Sequence, residues 1–111
     1  MAYDEELAAR IRALVPKGTA EKKMFGGLAF LVGGNMAIAA SGQGGLLVRV
    51  DPAESDELVR TTGAETMVMR GRAMRGWLRV EAGDVATGEA LSAWVERGVA
   101  YAGSLPPKRA R

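Results

Sequence analysis

The chain contains neither cysteine nor histidine. Without thiols there is no disulfide framework, no thiolate metal site and no cysteine nucleophile. Without imidazole, the usual catalytic triads, zinc sites and neutral-pH proton shuttles are excluded as well. An enzyme of this composition would have to work with carboxylates, Lys, Tyr or Ser. Aromatic residues are scarce, at 5%, which leaves few rings on which nucleic-acid bases could stack. No apolar run approaches the ~20 residues that a membrane span needs. The amino-terminal "MAYDEELAAR" is acidic where a secretory signal is basic and then apolar. These absences lead us to expect a cytoplasmic protein with no membrane partner.

What is present fits one globular unit. A hydrophobic share of 48% and a charged share of 25% are those of an ordinary soluble domain, and 111 residues suffice to bury a core without staples. Residues 1–111 are therefore read as a single domain with a flexible tail from about Pro107. Charge is uneven: residues 1–66 carry 7 Lys+Arg against 9 Asp+Glu, and residues 67–111 carry 8 against 4. The basic clusters are "RGRAMR" (70–75) and "KRAR" (108–111).

Periodicity gives the order of elements. Asp4 is placed to cap a helix in which Leu7, Ile11, Leu14 and Val15 share a face, ended by Pro16 and Gly18. From Met24 the period changes to two: Leu28, Phe30 and Val32 face one way, Ala29 and Leu31 the other. "VGGNM" reads as a hairpin turn using Gly34 and Asn35. Met36, Ile38 and Ala40 then alternate on a second strand, and Leu46, Val48 and Val50 on a third. "DPAESDELVRTTG" carries Asp51 as cap, Pro52 at the first helical position and Gly63 as stop. "TMVM" and "GWLRVEAG" read as two strands joined by the basic "RGRAMRG". Thr87 caps a last helix whose buried face is Ala90, Leu91, Trp94, Val95, Gly98 and Ala102, with Pro106 and Pro107 beyond it. The order α-β-β-β-α-β-β-α predicts an α+β fold of two layers, a mostly antiparallel sheet of about five strands with helices packed on one face.

The glycine-rich stretches fail as phosphate loops. A Walker loop needs Lys and then Ser or Thr entering a helix, whereas Gly33 and Gly34 lead into Asn35, Met36 and a strand. "SGQGGLL" carries part of a dinucleotide fingerprint but also opens a strand. Gly26 and Gly27 read as a bulge or a close backbone approach. Asp51, Glu54, Asp56 and Glu57 lack the spacing of a calcium loop and are accounted for by the helix dipole. Ser41 and Ser104 have no general base beside them in sequence and no nucleophile elbow. No catalytic, metal or cofactor-binding residue is assigned. The methionines Met24, Met36, Met67, Met69 and Met74 are of a type that usually fills gaps in a core, although an exposed stripe of them serves adaptable partner sites. Trp94 reads as a core anchor. Trp77, opposite in alternation to Leu78 and Val80, is the more exposed of the two tryptophans.

Taken in order, "KKMFGGLAFLVGGNMAI", "LLVRVDP", "MRGWLRV" and "WVERGVAYAGSLPPK" resemble the amino-terminal domain of the TfoX/Sxy family, regulators of DNA-uptake competence. The resemblance runs from about Glu5 to Lys108. It implies an α+β domain with a mostly antiparallel sheet. The family's best-known members are transcriptional coactivators that work with the cyclic-AMP receptor protein, and they carry a second, helical domain; this chain stops before one, so a stand-alone member is expected. No catalytic residue set comes with the family. The positions matching its motifs, Met24, Phe25, Gly26, Gly27, Gly76 and Trp77, have packing and turns as sufficient reasons.

The expectation is a regulatory, protein-interaction domain without enzymatic activity or cofactor, connected with transcription and competence. It would be a monomer or homodimer, meeting DNA indirectly if at all. The partner surface would involve Arg70, Arg72, Arg75 and Trp77, with Lys108, Arg109 and Arg111. Direct nucleic-acid binding through those cations is the first alternative. A small-molecule binder or an enzyme using the glycine loops is the second.

Overall fold

A computed structural model of the chain describes residues 3–24, 26–42 and 44–106, with Met69 given by its backbone alone. The order is α1 (Glu5–Leu14), β1 (Ala20–Met24), β2 (Gly27–Val32), β3 (Asn35–Ala40), β4 (Leu46–Arg49), α2 (Pro52–Thr62), β5 (Glu65–Met69), β6 (Arg72–Val80), a short 3-10 turn (Ala82–Val85) and α3 (Gly88–Ser104). The α+β class is as predicted, but the sheet has six strands, in the order β1-β2-β3-β4-β6-β5, and every pairing is antiparallel. The additional strand is β1. Its sequence, AEKKM, is nearly all exposed, so it lacks the apolar alternation that marks a half-buried strand. Pairing with β2, in register from Ala20 opposite Leu31 to Met24 opposite Gly27, is what makes it extended.

The helices begin and end where their local chemistry says. Asp4 Oδ1 accepts from the backbone N–H groups of Glu6 at 3.0 Å and Leu7 at 3.2 Å, and Asp51 Oδ1 accepts from Ala53 at 2.9 Å. Thr87 Oγ1 accepts from Ala90 at 3.1 Å. Each side chain satisfies donors that a first helical turn leaves free. All three helices contribute to one core against one face of the sheet: Leu7 and Ile11 from α1, Leu58 from α2, and Leu91, Trp94 and Val95 from α3 meet Phe30, Ile38, Val48 and Leu78. Leu14, expected on the buried stripe, is 42% exposed, because α1 contacts α3 and β3 with its first two turns and ends at Leu14.

Two further expectations change. The turn between β2 and β3 is Gly33–Gly34, both with positive φ, and Asn35 opens β3 instead. Asn35 is buried, and its Nδ2 donates to the Pro106 carbonyl at 3.0 Å, tying the chain after α3 to the hairpin. The basic connection shrinks to a two-residue turn, Arg70–Gly71, with φ of 55° and 78°, as tight hairpins require; Arg72 to Arg75 belong to β6. The tail from Pro107, and Lys108, Arg109 and Arg111 in it, lie outside the described residues.

α3 sits unusually close to the sheet at Gly98. A Cβ there would lie 2.5 Å from the Ala37 carbonyl oxygen and 3.3 Å from Val48 Cγ1, so the missing side chain sets the distance between the layers. On helix propensity alone Gly98→Ala would stabilise by ~1 kcal/mol. The expected result is the reverse, a loss of about 1–3 kcal/mol in chemical denaturation, as the helix is pushed off β3.

At the other end of α1, Arg12 donates to Glu21 of β1 through Nε at 2.5 Å and Nη2 at 2.9 Å. The hydrogen bond and charge of Arg12 hold the Glu21 carboxyl below its ordinary value, partly opposed by desolvation. A lowered folded-state pKa stabilises above the unfolded value, and that contribution is lost as pH falls through the folded one. Glu21→Gln should therefore lower stability slightly at neutral pH, by less at high salt because the pair is exposed. The difference from the parent should vanish in acid below the normal carboxylate range, as read from thermal unfolding at several pH values.

Candidate functional site

Among the described residues, the helices pack on one face of the sheet and leave the other without a helix. In strict alternation it would hold Leu31 but neither Met36 nor Met74, which have the parity of the core residues Ile38 and Leu78. Two irregularities change this. In the β2–β3 pair, Phe30 faces Ile38 and Leu31 faces Met36, so Ala37 is an extra residue and Met36 changes face. In the β5–β6 pair, Met67 faces Met74 while Thr66 faces Leu78, so Arg75 to Trp77 form a bulge and Met74 changes face. A one-residue shift moves every side chain beyond it to the other side.

The result is a concave, methionine-lined surface. One hollow of about 480 Å³ is bounded by Met24, Leu31, Met36, Leu47, Met67 and Met74, with Trp77 and Arg49 at its wall. A smaller one of about 140 Å³ is bounded by Ala29, Ala39 and Arg79, and the two share Met24, Met36, Leu47 and Met67. Met24 belongs to one edge strand and Met67 to the other, so the sheet curls until its edges face each other across the trough. The four methionines are half-buried and none is in the core, contrary to their default role as core filler. Val68 of β5, which also borders the smaller hollow, is 62% exposed.

The wall of the trough is organised around Arg49. Its guanidinium carbon lies 5.1 Å from the centre of the Trp77 ring and 5.7 Å from that of Tyr101, within the ~6 Å range of cation–π attraction. Trp77 is its direct partner across β4 and β6. Beneath this pair, the Val50 N–H donates to the Gly76 carbonyl at 2.7 Å and Arg75 Nη2 donates to the Pro52 carbonyl at 3.2 Å. Gly76 has φ of 87°, and a Cβ on it would stand 3.0 Å from the Val50 carbonyl oxygen and 3.1 Å from Pro52 Cγ. The stretches "RVDP" and "MRGW" thus meet in space and build one bulged junction. Likewise Gly26 and Gly42 pack backbone to backbone: a Cβ on Gly42 would lie 2.6 Å from the Gly26 carbonyl oxygen. Close approach, with no helix to follow, explains these glycines.

Of the described residues expected at a partner surface, Trp77 lines the trough. Arg70 is in the hairpin turn, and Arg72 begins β6 on the Met74 side. Arg75 is on the reverse, committed to Pro52. Arg70, Arg72 and Arg75 therefore lie on different sides of the β5–β6 hairpin. Arg49, Leu47 and Arg79 were not singled out in the sequence, although the alternation of "LLVR" already places Leu47 and Arg49 together. Of the serines considered as nucleophiles, Ser104 is engaged, its hydroxyl donating to the Tyr101 carbonyl at 2.7 Å. Among the described residues, no three acidic side chains gather closely enough to hold a metal ion, and no helix is long and apolar enough to cross a membrane.

The chain belongs to the TfoX N-terminal domain family, whose model matches residues 13–102. Neither the curated proteins nor the solved structures offer a match to it. The matched span takes in both bulges and the whole trough. Phe25, part of the family stretch, lies outside the described residues.

If the methionines stand outside the core, mild peroxide should convert Met24, Met36, Met67 and Met74 to sulfoxides with little change in far-UV CD or unfolding midpoint. Peptide mapping by mass spectrometry would locate the oxygens. Loss of cooperative unfolding on oxidation would mean that these side chains support the fold after all.

Proposed function

We propose that this chain is a regulatory protein-interaction domain that works without catalysis, in the cytoplasm and in transcriptional control connected with DNA-uptake competence. The regulatory part rests on family membership. The interaction part is carried by one observation: on the sheet face away from the helices, half-buried methionine, leucine and tryptophan side chains line a concave hollow. Apolar patches of this kind on a small domain mark sites that another molecule covers, and the unbranched, polarisable thioether adapts to varied partners.

The absence of histidine and cysteine, together with serines and carboxylates engaged in caps, turns and ion pairs, supports a role without chemistry. Direct binding of nucleic acid is the weaker reading, because Arg70 sits at a hairpin tip, Arg72 on the Met74 side of β6 and Arg75 on the reverse. DNA would then be reached through the partner.

The test is capture from the protein's own cell extract on immobilised, full-length chain. A specific partner protein should be retained at physiological salt and identified by mass spectrometry. Recovery of no specific protein at either low or physiological salt would overturn the reading, and retention of nucleic acid alone, sensitive to nuclease, would replace it.

A further inference from the structure

We propose that the curled methionine face is a docking groove for an amphipathic, acidic helix of a partner protein. This deepens the protein-interaction reading above and rests on it. Three observations point to the occupant. The groove is concave and apolar along its floor, with Met24 and Met67 from the two edge strands closing its sides; that is the form in which helices are received, apolar face inward.

Its charge is mainly positive. The residues bounding the two hollows include three cations, Lys22, Arg49 and Arg79, and no carboxylate. Among the described residues, strand pairing adds one acidic side chain to this face, Glu65, opposite Arg79, and one further cation, Arg72, on the Met74 side of β6. A cationic helix would meet like charge, and a neutral apolar one would leave the rim unused; acidic flanks complement it.

The third observation concerns Arg49. Its guanidinium carbon lies within cation–π range of both the Trp77 and the Tyr101 ring, and two such contacts restrict the side chain before any partner arrives. Holding the fork before binding reduces the ordering cost of a bidentate carboxylate contact. A partner Asp or Glu at the margin of the apolar stripe would reach it, while its Leu or Phe side chains enter between Met36, Met67 and Met74.

The experiment uses the full chain labelled with carbon-13 at the methionine methyl groups. The probe is a synthetic helix of about 16 residues with Leu at i, i+3, i+4 and i+7 spacing and Glu on the other face. Two controls keep the same length: one replaces Glu by Lys, the other replaces Leu by Ala. The expected result is a saturable shift of the Met24, Met36, Met67 and Met74 methyls with the Leu/Glu peptide, and binding at least about tenfold weaker for both controls. Raising salt from about 50 to about 300 mM should weaken the complex. The double change Lys22→Glu and Arg49→Glu should remove the preference for Glu over Lys.

Equal binding of the Glu and Lys peptides would overturn the proposal. So would shifts confined to other residues, methyl shifts that depend on protein concentration alone (a second copy in the groove), or saturation by dodecanoate without response to the peptide. Met36→Glu with Met67→Glu, checked for folding by far-UV CD, separates this idea from the broader one. If the parent captures a specific partner from extract and this variant captures it equally well, the groove is wrong and the interaction reading stands. If the parent captures nothing, the interaction reading fails, while the peptide titration still decides the chemistry of the groove.

Discussion

A β-strand shows successive side chains to opposite faces, so a sheet covered on one side sorts its residues by parity alone. In this protein that sorting is broken twice. The extra residue Ala37 in β3 and the bulge from Arg75 to Trp77 in β6 each carry a methionine from the parity of the core to the open face. Much else depends on those two irregularities. Bulges increase twist and bend a strand, and the curl brings Met24 of β1 opposite Met67 of β5. Without them the open face would be a flatter surface with Leu31, Leu47, Arg49 and Trp77 spread across it.

The same irregularities serve the covered side. Ala37, fully buried, is the residue on whose carbonyl α3 settles through Gly98. The β6 bulge turns its glycine, Gly76, toward Val50 and Pro52 and accepts a backbone hydrogen bond from Val50. That junction fixes the start of α2, whose first residue is Pro52. Closing the core and shaping the trough are therefore one structural event. This gives a physical reason for the pairing of "RVDP" with "MRGW" in this chain: each is half of a junction that neither could form alone.

The caps at Asp4, Asp51 and Thr87, the stop at Gly63 and the alternation of β2 and β4 are set by residues within a turn or two of each other, and all were legible in the linear chain. The strand β1 was not, because its polar sequence has no local reason to extend and becomes a strand only through β2. Nor was the face of Met36 and Met74, since a bulge depends on which residue of the neighbouring strand is opposite. Trp77 was correctly placed on the side away from Leu78. Its partners Arg49 and Tyr101 were invisible as such, being separated from it by 28 and 24 positions.

By itself, the sequence determined the class of fold, the boundaries of the helices, the residues of the core and the kinds of chemistry that a chain without histidine or cysteine forgoes. These follow from short-range periodicity, capping and composition. Only the tertiary structure decided that the methionines leave the core, that the arginines of the "RGRAMR" stretch part company, and that Gly26 meets Gly42 backbone to backbone. Each of those depends on the register between strands distant in sequence, and register is fixed by the burial of one whole face of the sheet against three helices.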